Sequence, residues 1–454
     1  MEKPRLAAPG RLRCRVVNRK GKTMALEMKG DVVSALASSV TLPRMVRVKQ
    51  LFDHSHFEPE EIPTVVHDRL DRPEMREHIR PGMSVAITCG SRGVANIAAI
   101  TKAIVDFVKE CGGEPFVFPA MGSHGGATAE GQTGILAGYG VTEEFLGCPI
   151  RSSMEVVQVG NREDNGWPVY VDRYAAEADG IILCGRVKAH TAFRGPYESG
   201  ILKMAVIGMG KQKGAEQVHQ DGFREMGYDL PQIAKVIFEN TNILGAIALG
   251  ENAFDETCII EGLLKEEVFD REPDILKRTK ERLGKIYFDD IDVLVVDRIG
   301  KDISGDGMDP NITGRFAVPH VKGDRNVQHI AVLDLTEETH GNCNGLGLSD
   351  VTTARLVNKI DVDATFPNVV TSTVLCTPRI PLFTRSDEDC IKIALRTCNF
   401  IDRANPRIVH IEDTMRLEEI FISEAMLEEA RNNPHVEILS EPEDWPFDEQ
   451  GNLW

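Results

Sequence analysis

Four residues in this chain have the types and spacing to do chemistry. Lys203 interrupts the apolar run "GILKMAVIG", and His219 follows sixteen residues later, beyond the glycine- and lysine-rich turn "GMGKQKG". His124 lies between glycines in "MGSHGG", and His190 closes "GRVKAH". An amine inside an apolar run with a histidine just beyond reads as a tether and a ligand for something bound between them. Two histidines on opposite sides of a substrate would exchange protons in either direction near neutral pH. The glycines beside His124 allow close approach of backbone to a ligand. Arg92 in "CGSRG" is a forked donor suited to a carboxylate or phosphate. Lys188, Arg194 and Lys301 add positive charge in neighbouring polar loops. Taken singly, each has a plainer reading as a snorkelling lysine, a solvated loop histidine or half of a surface ion pair. Their joint placement argues for a site.

That placement depends on the elements carrying them. "MSVAIT" (83–88) is a short apolar strand before the turn "CGSRG". Ile97, Ile100, Ile104, Phe107 and Val108 recur at helical spacing and predict a helix behind it. "PFVFPA" (115–120) is the next buried strand, and "MGSHGGATAEGQ" then leads into a short helix. "WPVYVDRYAAEADGIILCGRVKAH" predicts a strand, a helix and an apolar strand ending near His190. "LPQIAKVIFENTNILGAIALGENA" predicts a helix and a strand, and "EPDILKRTKERLGKIYFDD" a charged helix. The alternation resumes with strands at "IDVLVVDRIG" (291–300) and "HIAVLDL" (329–335), and "GLSDVTTARLVNKID" and "VVTSTVLC" continue it. Strand, glycine turn and helix at this spacing imply an α/β fold: two α/β domains with mostly parallel sheets and an active-site cleft between them. The expected division is 1–275 for the cofactor-binding and catalytic domain and 276–454 for a domain closing the cleft. In open α/β sheets the binding crevice lies beyond the carboxyl ends of the strands, where the polar loops of Arg92, His124, His190 and Lys301 fall.

The 454 residues exceed one ordinary core, and 42% hydrophobic with 27% charged residues is a globular composition. A net charge of -18 argues against nucleic acid or an anionic membrane as partner, but a local pocket can still take a small anion. No run of 18 apolar residues occurs, and the basic N-terminus "MEKPRLAAPGRLRCRVVNRKGK", read as a strand-forming arm or tail, lacks a signal-peptide core. The ten cysteines are scattered without a CxxC pair, which excludes a zinc knuckle and suits reduced thiols in a cytoplasmic protein. There is no P-loop, H-E-x-x-H or G-x-S-x-G. "GMGKQKG" spaces its glycines G-x-G-x-x-x-G, unlike a dinucleotide loop, and "DISGDGMDPN" lacks the ligand spacing of an EF-hand.

The ordered motifs over roughly residues 83 to 222 resemble the nickel-dependent lactate racemase superfamily of 2-hydroxyacid racemases and epimerases. "VAITCGSRG" resembles the family's first strand and arginine-ended turn, and "FVFPAMGSHGGATAEG" its strand and histidine turn. "WPVYVDRYAAEADGIILCGRVKAHTAFRG" is similar to the family's next stretch, "SGILKM" stands where the family has a lysine after a glycine pair, and "GAEQVHQ" where it has a histidine. The resemblance implies a nickel-pincer nucleotide, attached through a thioamide to Lys203 and with His219 as nickel ligand. It implies His124 and His190 as paired acid and base, and Arg92 in contact with substrate or cofactor. The implied reaction is racemisation or epimerisation of a 2-hydroxy acid by hydride transfer to and from the cofactor, with pincer-biosynthetic enzymes as maturation partners. The oligomeric state stays open, a homo-oligomer included.

Departures from the family pattern fall in the substrate pocket. Cys89 replaces the usual aspartate three residues before Arg92, and the family's arginine before the lysine is gone. Lys188 and Arg194 stand where they would compensate, and Lys301 would face them from the second domain. Lactate is therefore not assigned, and a bulkier hydroxy acid or a sugar acid fits equally. Alternatives are a same-fold nicotinamide-dependent oxidoreductase or dehydratase, and a non-catalytic binding relative. A nicotinamide enzyme would not need Lys203.

Overall fold

The computed structural model describes residues 32–91 and 93–454. The basic N-terminal stretch and Arg92 lie outside the described residues. In chain order the strands are β1 (Met45–Gln50), β2 (Ser84–Cys89), β3 (Glu114–Pro119), β4 (Val156–Asn161), β5 (Pro168–Asp172), β6 (Gly180–Arg186), β7 (Ile243–Glu251) and β8 (Thr257–Leu264). They continue as β9 (Asp290–Ile299), β10 (Asn326–Leu335), β11 (Val351–Thr353), β12 (Leu382–Thr384), β13 (Ile408–Ile411), β14 (Glu419–Ser423) and β15 (Val436–Ile438). The first sheet has the order β3-β2-β6-β7-β8, parallel except for β8. The second has the order β12-β11-β10-β9-β13-β14-β1-β15, a parallel block of five strands flanked by an antiparallel edge of three. The α/β class with mostly parallel sheets is thus observed, and β4 and β5 form a small antiparallel ladder beside it.

Continuous apolar runs make such strands because both faces of a parallel sheet are covered. Along β6, Ile181 and Leu183 enter one core while Ile182 and Cys184 enter the other. β3 sends Phe116 and Phe118 to the first core and Val117 to the second. The helix Ile97–Glu110 buries Ile97, Ile100, Ile104, Phe107 and Val108, the face expected from their spacing. Each such side chain contributes about 1.5–3 kcal/mol on burial. The helices Gly222–Asn240 and Val268–Arg282 cover the opposite face with Leu230, Ile233, Ile237, Ile275 and Leu276.

One element differs from the sequence reading. "VVTSTVLC" opens inside the helix Val362–Ser372 rather than in a strand, helical despite its β-branched residues because Asp361 caps the helix start and Thr365 and Val369 are buried. β1 lies far from the second sheet in sequence yet pairs with β14 and β15 inside it. The expected division at residue 275 falls within the helix Val268–Arg282.

The strand order also locates a crevice. β2 connects onward to β3 on one side, whereas β6 connects to β7 on the other, so adjacent β2 and β6 form the switch point of the first sheet. Ligands of doubly wound sheets bind outside the carboxyl ends at such a point. Those ends carry Gly90–Ser91 and Arg186–His190, with the His124 turn of β3 alongside.

Candidate functional site

The β3 turn is held by backbone geometry and by a buried lysine. Gly122 and Gly125 have φ of 57° and 67°, which favours glycine. At Gly125 a Cβ would also lie 2.7 Å from the Gln132 nitrogen. Gln132 is fully buried, and its amide donates to the carbonyls of Gly122 (3.0 Å) and His124 (3.2 Å). Gln132 Oε1 in turn accepts from Lys211 Nζ at 3.0 Å, and Lys211 also donates to the Pro119 carbonyl at the end of β3. Lys211 and Asp172 are both fully buried, with Nζ and Oδ2 3.3 Å apart. Burial pushes the Asp172 carboxyl up and the Lys211 amine down, each toward its neutral form, while each partner's charge opposes the shift. The exposed His124 ring then meets the Ser91 hydroxyl from the β2 turn through Nδ1. Two strand-end loops are joined at that contact.

After β6, Lys188 pairs with Ser199 across a short bridge that folds the segment 188–199 back on itself. Glu198, 1% exposed, accepts the His190 backbone N–H at 2.7 Å and Lys280 Nζ at 2.6 Å. The His190 Nδ1 accepts the Ala192 backbone N–H at 3.0 Å, so in this arrangement the neutral ring carries its proton on Nε2. The ring sits 4.3 Å from Phe193 and 5.9 Å from Phe223, centroid to centroid. Arg194 donates to the His190 carbonyl at 2.6 Å and to Asn311 Oδ1 at 2.6 Å, and lies 4.8 Å over the Phe316 ring. It therefore ties the His190 turn to the part of the chain beyond the first sheet.

Lys203 ends the single helical turn Ile201–Lys203, and a wide π-type turn, Met204–Gly208, follows. Such turns recur at functional sites because they re-aim side chains. The helical turn is anchored from outside by Glu272, fully buried, whose carboxylate accepts the N–H groups of Ile201 and Leu202. Its carboxyl is pushed up to about 7 by burial, against those two hydrogen bonds. A Cβ at position 200 would lie 1.9 Å from Glu272 Oε1, so only glycine fits there. Met204 packs its terminal methyl where a Cβ at Gly90 would be 3.1 Å away and one at Gly185 3.4 Å away. Gly122 donates to the Gly208 carbonyl at 3.3 Å. The Lys203 segment is thereby packed against the ends of β2, β3 and β6.

His219 lies in the last turn of the helix Lys211–Gln220, with its ring 5.3 Å from Phe223. His190 and His219 thus flank one phenyl ring. Burial first, and then the charge of Lys203, together lower the His219 pKa to about 4. Its Nδ1 is buried with no hydrogen-bond partner among the described residues. A half-buried neutral imidazole whose Nδ1 is buried and unpartnered, beside an amine, is a donor set that fits a borderline metal held next to a lysine-linked group. The depressed pKa has a stability consequence. Between pH 6.5 and 4 the unfolded chain binds a proton at His219 that the folded chain refuses, so stability falls as pH falls through that window. The full effect is roughly 3 kcal/mol. Urea midpoints of apoprotein between pH 7 and 4 should show a shallower acid loss for His219→Gln than for the parent.

Of the other sequence candidates, Lys301 donates its Nζ to the Gly305 carbonyl at 2.6 Å, beyond the end of β9. A cavity of about 1160 Å³ opens nearby, lined by Asp302, Asp334, Arg355 and Asp413 of the second sheet's strand ends and by Ala253–Asp255 after β7. None of His124, His190, Lys203 or His219 lines it. Sequence reasoning missed Lys211, Glu198 and Glu272. Of these only Lys211 carried a local signal, a lysine next to a glycine at a left-handed position (φ 54°).

Residues 35–227 match the family model of the lactate racemase N-terminal domain. That match covers the part of the chain that builds the first sheet's strand ends. The matched residues include His124, His190, Lys203, Lys211 and His219, while Glu272 and Lys280, which brace that part, lie beyond them. It also includes β1, which pairs into the second sheet. No curated protein matches the chain in sequence. Similar solved structures include a Thermotoga maritima protein, 12% identical over 81% of this chain and 99% of that one, with a TM-score of 0.46. The lactate racemase apoprotein of Thermoanaerobacterium thermosaccharolyticum is 11% identical over 75% of this chain and 87% of its own, also with a TM-score of 0.46. Among the described residues no helix is long and apolar enough to cross a membrane.

Proposed function

We propose that the chain is an isomerase, a nickel-pincer-dependent racemase or epimerase of a 2-hydroxy acid. The observation that supports this most is the half-buried, neutral His219, with a buried and unpartnered Nδ1, next to the charge of Lys203. Lys203 would carry the thioamide link and His219 would ligate the nickel. When bound, the pincer group supplies the reversible hydride acceptor that inversion at C2 requires. Everything else falls to the protein. His124 and His190 exchange the hydroxyl proton of the substrate, His190 through its Nε2. Lys188 and Arg92 hold the carboxylate, and Arg194 keeps the His190 turn against Asn311. Phe193 and Phe223 exclude water from the histidine side of the site.

Protein produced together with the pincer-biosynthetic enzymes should carry about one nickel per chain and an added mass on the peptide containing Lys203. It should racemise at least one member of a panel of 2-hydroxy acids and sugar acids. An unmodified Lys203 peptide in protein that still racemises a hydroxy acid would overturn the assignment.

A further inference from the structure

The segment joining β1 to the first sheet carries a second group of metal-type ligands, away from Lys203 and His219. His54 and His56, spaced H-x-H, face Glu256 at the turn between β7 and β8. Glu256 Oε2 lies 3.3 Å from His54 Nδ1 and 3.1 Å from His56 Nδ1, and one ligand atom from each of the three residues falls within 4.8 Å of the others. Metal–nitrogen and metal–oxygen bonds of about 2.0–2.2 Å place tetrahedral ligands about 3.4 Å apart. The 3.3 Å separation of His54 Nδ1 and Glu256 Oε2 fits that spacing better than it fits a short charge-assisted hydrogen bond of about 2.7–2.9 Å.

The surroundings have the features that orient metal ligands. The His54 carbonyl, 2.8 Å from His56 Nδ1, accepts the ring proton there, which leaves Nε2, 3.5 Å from Glu58 Oε1, as the nitrogen to face an ion. Partners of that kind fix ring orientation and ligand basicity. His54 is stacked on Phe254 with centroids 3.9 Å apart, and Asn252 donates to Glu256 Oε2 at 2.8 Å. Asp53 accepts from the Ser55 backbone N–H at 2.9 Å and pairs with Arg282 at 3.2 Å, holding the H-x-H loop in place. His54 is 58% exposed, so an ion here would keep an open position for water.

We propose that His54, His56 and Glu256 bind one divalent transition-metal ion, with zinc as the probe that suits two imidazoles and a carboxylate. The ion would fasten the segment leaving the second sheet to the β7–β8 turn. That turn supplies Ala253, Phe254 and Asp255 to the wall of the large cavity, so the site braces one side of the cavity mouth.

The test uses full-length protein made without the pincer-biosynthetic enzymes and stripped with a chelator. Its outcome is therefore independent of the proposed racemase chemistry. Calorimetric zinc titration in a His219→Ala background, against a competing chelator, should give one site per chain, and zinc should raise the melting temperature. His54→Ala, His56→Ala and Glu256→Gln, each added to that background, should weaken this site by about 100-fold or more. Each should also abolish the zinc-dependent shift in melting temperature, read against that variant's own zinc-free value. Absence of stoichiometric binding in the His219→Ala protein, or binding that survives all three substitutions, would overturn the proposal. Should any one variant fail to fold, the other two carry the comparison.

Discussion

Alanine at His124 or at His190 should lower racemisation about 10²–10⁴-fold while the Lys203 peptide keeps its added mass and nickel content stays near one per chain. The argument rests on where each ring is held. His190 sits at the carboxyl end of β6, with its backbone N–H fixed by Glu198 and its Nδ1 occupied by the Ala192 N–H. Its Nε2 is the nitrogen proposed to meet a substrate oxygen. His124 comes from the neighbouring strand-end turn, and its Nδ1 is engaged by Ser91, so its Nε2 is likewise the nitrogen proposed for proton transfer. Neither ring is a ligand in the proposed site, so loss of either should remove proton transfer without releasing the metal. Because the two act as a unit, the double variant should fall little below the worse single one. Initial rates in both directions, with nickel analysis on the same samples, measure this. A variant that keeps parental kcat/KM does not belong to the pair.

The parts of this site that were legible in the sequence are those written in local patterns. An apolar run followed by a glycine turn marks a strand end, and the polar residues just beyond "MSVAIT", "PFVFPA" and "GIILCGRV" fell at the carboxyl ends of β2, β3 and β6. The helix Ile97–Glu110 followed its apolar spacing for the same reason. Residues that act across long sequence distances left no such trace. Glu272 reads as one acid in a charged helix, yet it is buried and anchors the turn bearing Lys203 from seventy residues away. Glu198 reads as a loop carboxylate, yet it joins His190 to Lys280. β1 is a short mixed strand whose partners, β14 and β15, lie at the far end of the chain. The "VVTSTVLC" segment shows the opposite failure. Its β-branched residues suit a strand, but the Asp361 cap and the burial of Thr365 and Val369 decide for helix.

Lys211→Ala should destabilise the apoprotein by about 3–5 kcal/mol, the range for removing one partner of a buried ion pair. Nothing in the vicinity replaces what the amine does. Asp172 Oδ2 would be left buried 3.3 Å from an empty volume, and the Pro119 carbonyl and Gln132 Oε1 would lose their donor. Gln132 holds the carbonyls of Gly122 and His124, so the loss extends to the turn that presents His124. Stability and activity should therefore separate in a revealing way. Lys211→Met combined with Asp172→Asn removes both charges, keeps most of the volume and should recover much of the stability, because no uncompensated charge stays buried. It does not restore a donor to Gln132, so racemisation by the cofactor-loaded double variant should stay well below the parent at temperatures where both are fully folded. Urea midpoints measure the first effect and kcat the second. Full recovery of both would mean that Lys211 only neutralises Asp172, and that the His124 turn holds its shape without it.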